Sequence, residues 1–422
     1  MTTRISPAAS AMTFGAVAAA GATHLAVDLV SGGFAALLPT IAERLSLSST
    51  GVGALVALFS ISALGSQPLM GGLADRFDAR HVTAITAGVA AAVLAAATVV
   101  NSVLVLLAVI VVGGLASAAF HPAGAMLARR HSPASPENAV AVFAAAGTVG
   151  LALGPIAAIA LADGAAQANA LLLAVPALLI APVIWRRSRL TVPNQTLSLT
   201  GRSARSVLLR GEVPKLAAAA TLVAIAGTSI ASTLPLWIAD QPGRDTTEPA
   251  IGWALATFAL AAAAGGVIAG RLTNHVSSAR LLRLSLLAAA IPAAALAFVT
   301  PATAASFVAL FATGLLIGPA IPLLLVAAQN EAPERAATAS GMIMGLSHGL
   351  AGVAFIGVSV IISTAGYGAG VLTGAAALIP AAFIAGMRDN AVSPPIADAA
   401  RCVIATCRCF VDRPVPARRL VA

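Results

Sequence analysis

Apolar tracts about twenty residues long recur from one end of the sequence to the other, separated by short polar stretches, and no other feature limits the fold so tightly. A helix needs roughly twenty residues to cross about 30 Å of hydrocarbon, whereas a barrel strand needs about ten in alternation. The tracts lie at about 12–40, 51–74, 82–100, 103–128, 138–162 and 168–185, then at about 215–239, 250–270, 281–300, 303–328, 336–362 and 366–386. Only 9% of the residues are charged and the mean hydropathy is +0.96, against roughly 25% charged in a soluble domain. The expectation is an all-α membrane protein with twelve transmembrane helices in two six-helix bundles.

Between the sixth and seventh tracts, residues 186–214 hold Arg186, Arg187, Arg189, Arg202, Arg205 and Arg210 and no run long enough to span. This divides the chain into a first bundle (1–185), a linker (186–214), a second bundle (215–388) and a polar tail (389–422). The net charge of +9 does not point to nucleic acid, because the basic residues cluster between apolar tracts as topology requires. Placing the amino end in the cytosol puts 22 of the 24 Lys and Arg residues inside, leaving Arg44 and Arg244 outside. Both termini are then cytosolic. The first tract is too long and too polar for a cleaved secretory signal and reads as a retained helix. Cys402, Cys407 and Cys409 all fall in the tail without metal-binding spacing, so no disulfide framework, cofactor or metal is expected.

The two halves resemble each other. An offset of 200 aligns Gly114 with Gly314, Pro122 with Pro322 and Pro133 with Pro333, and Leu38-Pro39 answers Leu234-Pro235 at 196. Such symmetry belongs to parallel-repeat transporters, whose substrate site lies between the halves near mid-membrane.

Within the first tract, His24 and Asp28 stand four residues apart, on one helix face. An ionised carboxylate near the bilayer centre costs roughly 2.5–3.5 kcal/mol even on lenient scales, and such residues usually mark a substrate or proton path. Burial disfavours the carboxylate while an imidazolium favours it, so the two can exchange a proton as a coupled pair. The alternative is a hydrogen-bonded staple between helices. Nothing in the seventh tract mirrors them, since Ala220 and Ala224 occupy the positions at 196. His121, nearer the cytosolic end of the fourth tract, reads either as a proton exit or as a helix-end cap. His348 in the eleventh tract is the candidate to face the pair across the cavity. Gln67, Thr148, Thr228 and Ser229 are lesser candidates for lining it.

Gly71-Gly72-Leu73-Ala74-Asp75-Arg76-Phe77-Asp78-Ala79-Arg80, between the second and third tracts, resembles the signature loop of the major facilitator superfamily. The resemblance implies that Gly72, Asp75, Arg76 and Arg80 latch the cytosolic ends of the halves, with Asp78 standing where the family usually has glycine. Gly147-Thr148-Val149-Gly150-Leu151-Ala152-Leu153-Gly154-Pro155 is similar to the fifth-helix motif of that superfamily's proton antiporters. Gly150 and Gly154 would allow close helix packing and Pro155 a bend. With His24, Asp28 and His121-Pro122, this looks like the fosmidomycin-resistance-like branch, although the arginine that many drug antiporters carry midway along helix four is replaced by apolar Ala108 to Val112. The resemblance implies a monomeric transporter in a bacterial cytoplasmic membrane, exporting a small amphipathic or drug-like compound against protons. Two alternatives remain: a proton-coupled importer of a sugar or organic acid, and, more remotely, a membrane-embedded metal-dependent enzyme. No G-x-x-x-x-G-K-[ST] loop for an ATP-driven pump is present in the sequence.

Overall fold

The computed structural model describes residues 7–74, 77–132, 136–162, 164–187, 211–332 and 336–384. Asp75 and Arg76, most of the linker, and the tail with its cysteines lie outside the described residues. Among the described residues, twelve helices are long and apolar enough to cross a membrane. In the first half they are α1 (Gly15–Ala36), α2 (Ser49–Met70), α3 (Ala79–Ala96), α4 (Val103–Arg130), α5 (Ala139–Leu161) and α6 (Ala168–Arg186). In the second they are α7 (Val213–Ala239), α8 (Pro249–Leu272), α9 (Ser278–Phe298), α10 (Ala304–Glu331), α11 (Ala339–Ala365) and α12 (Tyr367–Ile384). Leu69, Leu104, Ile291 and Phe298, each more than 70% exposed, would be a liability in water and suit a lipid-facing surface.

The repeat is visible in packing as well as in spacing. Helices α2 and α8 begin 200 residues apart at Ser49 and Pro249, and α5 and α11 likewise at Ala139 and Ala339. Gly114 of α4 lies against Ser62 of α2, and its counterpart Gly314 of α10 lies against the Phe258 carbonyl of α8. A side chain at either position would hold the paired helices apart. The third helix of each half is capped alike: Asp78 accepts from the Arg80 amide (3.0 Å) and Ser277 from the Arg280 amide (3.4 Å). An N-cap side chain satisfies one of the amides that a helix start leaves unpaired.

Several tracts that read as single helices are interrupted. The first ends at Ala36 instead of continuing to 40, and a short helix, Leu38–Arg44, follows with Pro39 in its first turn, where a missing N–H costs nothing. Helix α2 contains a π-helical turn at Ile61–Gly65 and α11 another at Met342–Leu346, where these two helices meet with Gly349 on the Gly65 backbone. Residues Gly164–Ala174, which lead into and form the first part of α6, wind as a tighter 3-10 helix.

The end of the bundle away from the termini is bridged between the halves. Thr40 Oγ1 donates to the Thr246 carbonyl (3.2 Å), Thr246 Oγ1 donates to Glu43 (3.3 Å), and Gly252 of α8 packs on Ile156 of α5. At the same end Arg44 reaches the turn that follows α3 and donates to the carbonyls of Ala97, Thr98 and Val100. The helix has ended before them, so no later turn supplies these carbonyls with an amide. Burial lowers the Arg44 guanidinium from its ordinary value, yet from so high a starting point it keeps its charge.

Candidate functional site

Asp28 points from α1 into the junction of α1, α4 and α5, and both of its oxygens are engaged. His24 Nε2 lies 3.1 Å from Oδ2, and His121 Nε2, from α4, lies 3.2 Å from Oδ1. The side chains of His24 and Asp28 are each 9% exposed and that of His121 is 21% exposed. Each imidazole also has its other nitrogen fixed. His24 Nδ1 donates to the Phe143 carbonyl on α5 (2.8 Å), and His121 Nδ1 to the Ser117 carbonyl one turn back on α4 (2.7 Å). A carbonyl only accepts, so both Nδ1 atoms carry hydrogen, and both Nε2 atoms face the carboxylate.

The surrounding helices make room for this cluster. Phe143 stacks on His24 with ring centres 4.1 Å apart, and Phe120 meets His24 and His121 edge-on at 5.8 and 5.4 Å. Gly147 lies one turn after Phe143, and with no side chain there the His24 ring and Asp28 Oδ2 come up against the α5 backbone. Further along, Gly150 and Gly154 rest on the carbonyls of Leu25 and Leu29, so α1 and α5 run at close backbone contact past the site. Pro155 lies within α5, its backbone with that of Ile156 facing Gly252 of the second half.

His24, Asp28 and His121 also offer ligand atoms within 4.8 Å of one another, near enough to be drawn onto one ion. Both carboxylate oxygens are already at hydrogen-bond distance from an imidazole nitrogen, which is the arrangement of shared protons.

The other expected residues are distributed differently. His121 is not a helix-end cap: it stands nine positions before Arg130, the last residue of α4, and meets Asp28 directly. His348 is partly exposed on α11 and donates from Nδ1 to the Met344 carbonyl (2.7 Å). Its helix packs on α2 and α7, away from the triad. Ser229 is buried against Gly374 of α12. Thr228 is partly exposed beside it. Gln67 lies on the α2–α11 seam, with Gly345 next to it. Thr148 is partly exposed, seven residues before Pro155 on the α5 face that further along meets α8. Arg80 pairs locally, with Nε 3.1 Å from Asp78 Oδ2, and does not reach across to the other half through that contact. Gly72 lies in the last turn of the helix Gln67–Ala74. The aromatic box and Gly147 were not singled out as site residues from sequence; the signal available was a phenylalanine and a glycine four residues apart on α5.

Two bundles of six helices related by an internal repeat, with an ionisable cluster buried in the membrane, define a secondary-transporter architecture. The family model of the Major Facilitator Superfamily matches residues 20–356, and the chain belongs to that family. Among curated proteins, the fosmidomycin resistance protein of Escherichia coli (strain K12) is 23% identical over 352 residues, covering 81% of this chain and 84% of the relative. Among solved structures, the nucleoside transporter NupG superposes with a TM-score of 0.68 at 15% identity, covering 87% of this chain and 97% of that one. A bacterial homologue of the human lysosomal transporter Spinster, in an inward-facing and occupied conformation, gives 0.65 at 16% identity over 98% and 100% of the two chains.

Proposed function

We propose that this transporter is a proton-coupled antiporter that exports a small amphipathic or drug-like compound by alternating access. The observation that carries the reading is the triad. A carboxylate held between two imidazoles inside the membrane is a site where protons are taken up and released at physiological pH. When a proton leaves, a contact between α1 and α4 loses its bridge and Asp28 becomes free to meet a polar or cationic group of the substrate. When the proton returns, that position is reclaimed. Mutual exclusion of proton and substrate is antiport, and the resistance named for the Escherichia coli relative supports export as its direction.

The chain lies in a bacterial cytoplasmic membrane with both termini in the cytosol, as its basic residues favour. The bridged end then faces outward, in keeping with the inward-facing state of the Spinster homologue. Asp75, Arg76 and Gly72 act as a cytosolic latch between the halves, while Arg80 anchors the start of α3. The substrate contacts Thr148, Thr228, Gln67 and His348 on the walls of the central cavity, and no enzyme activity is assigned.

The test is flux in proteoliposomes carrying an imposed pH gradient. Asp28→Asn keeps the side chain's size and removes the titration, so uphill export should fall to background while downhill exchange of substrate persists. Full uphill transport by Asp28→Asn would overturn proton coupling at this site. Loss of transport on adding a chelator would instead favour an ion held by the same three side chains.

A further inference from the structure

We infer that the closed His24–Asp28–His121 triad holds two exchangeable protons, and that the one between His121 and Asp28 leaves first and unfastens α4 from α1. The inference rests on the triad being the proton site and extends it to a count and an order.

The count follows from donors and acceptors. Phe143 O and Ser117 O can only accept, so the two Nδ1 hydrogens are committed to them and are not the ones exchanged. Two contacts remain, His24 Nε2 to Oδ2 at 3.1 Å and His121 Nε2 to Oδ1 at 3.2 Å. Each needs one proton between its heavy atoms; without it, a nitrogen lone pair would face a carboxylate lone pair at that distance. The closed triad therefore carries two protons in its two gaps. One carboxylate and two imidazoliums give it a net charge of +1. All four ring nitrogens and both oxygens are then satisfied, so the closed triad offers no free donor to a substrate.

The order follows from how the two rings are held. His24 shares a helix with Asp28, lies beneath Phe143 and abuts Gly147 of α5, so it cannot withdraw without separating α1 from α5. His121 comes from a different helix, is the more exposed ring (21% against 9%), and is tied otherwise only to a carbonyl of its own helix. Loss of its proton leaves two acceptors facing each other, Asp28 Oδ1 and His121 Nε2, and this contact between α1 and α4 parts. The opened site is neutral and presents both acceptors, so it recognises a hydrogen-bond donor group of the substrate.

Among the described residues no other ionisable side chain touches the triad, and Glu43 and Arg44 of the short helix after α1 lie at the bridged end, engaged with Thr246 and with the carbonyls past α3. Of the helices packed on α1, α5 carries none within its span. The remainder hold theirs in end turns: Arg80 and His81 on α3, Arg129 and Arg130 on α4, Arg186 on α6, Lys215 on α7 and Arg271 on α8.

Histidine nitrogen NMR on the full chain in lipid nanodiscs tests both statements without a substrate. Carbonyl labelling of phenylalanine identifies His24 through its bond to Phe143, and labelling of serine identifies His121 through Ser117, so no substitution is required. At the acid end of a titration both rings should be imidazolium. On raising the pH, His121 should lose its Nε2 proton in a first one-proton step while His24 remains charged, and His24 should follow in a second. A His121→Gln chain, whose amide donates to Asp28 at any pH, should keep only the His24 step. Either ring being neutral while both contacts are closed, His24 titrating first, or both rings titrating in a single step would overturn the inference. Because the readout is protonation and not flux, its failure is distinguishable from retained pumping by Asp28→Asn, which would instead remove the coupling role itself.

Discussion

A methyl group on Gly147 would sit 2.8 Å from Asp28 Oδ2 and closer still to the His24 ring. Neither neighbour can retreat, since His24 is held by Phe143 and Asp28 by both imidazoles. Overpacking of this kind costs about 1–3 kcal/mol, and here the strain falls on the proton contacts. Gly147→Ala should therefore reduce proton-driven export at least about tenfold, the factor that 1.4 kcal/mol represents. Gly88→Ala, whose added methyl would meet only Leu178 at an ordinary 3.7 Å, should transport normally. Equal rates for the two variants in proteoliposomes would show that the triad tolerates displacement. At the opposite end of the membrane, Arg44 works through geometry as well as charge, its fork spanning three carbonyls of the turn that follows α3. Arg44→Ala leaves those carbonyls without their donor and should destabilise the protein by roughly 2 kcal/mol. Arg44→Lys should recover only part of this, because a single ammonium cannot bridge three acceptors. Thermal unfolding in detergent compares the three, and equal midpoints for Arg44→Lys and the native chain would show that charge alone suffices.

Helix α3 and its counterpart α9 begin alike despite different chemistry, a carboxylate at Asp78 and a hydroxyl at Ser277. Removing a capping side chain typically costs about 1 kcal/mol. Asp78→Ala and Ser277→Ala should each lower stability by about that much, and the two effects should add within about 0.5 kcal/mol because the sites lie in different halves. Asp78→Ala should cost slightly more, since Arg80 also loses its partner. A markedly non-additive pair in chemical denaturation would mean that the two helix starts communicate across the molecule. The number and order of the helices were legible in the sequence because length and hydropathy alone decide which segments cross a bilayer. Their interruptions were not. The π-helical turns of α2 and α11 lie where Gly65 and Gly349 bring two backbones together, and contacts between residues far apart in sequence leave no local periodicity to read. Asp78 shows the same limit in reverse, for a loop read as an interdomain latch contains the cap of its own helix.

At the scale of the whole molecule, the candidate site was half legible. His24 and Asp28 share a helix face by their spacing, so their pairing follows from periodicity. The second imidazole arrives from 93 residues away, and only the packing of α4 on α1 reveals that His121 completes the cluster and His348 does not. That packing lies wholly within the first half, whereas Thr40, Glu43, Ile156, Thr246 and Gly252 join the two halves at the end away from the termini. If protonation at the triad is to move substrate across the membrane, this bridged end must part in each cycle, because a rocking transporter opens one side only as it closes the other. A cross-link there should stop transport without touching the triad. Thr40→Cys combined with Thr246→Cys, in a chain whose tail residues Cys402, Cys407 and Cys409 are replaced by serine, places a thiol on each side of the bridge. Oxidation should reduce export to background and a reductant should restore it, while Thr40→Cys alone should be indifferent to both. The triad's proton titration should persist in the cross-linked protein, since α1 and α4 both belong to the first half. Full export with the cross-link formed, verified by a mobility shift on a gel, would mean that this end does not open during transport.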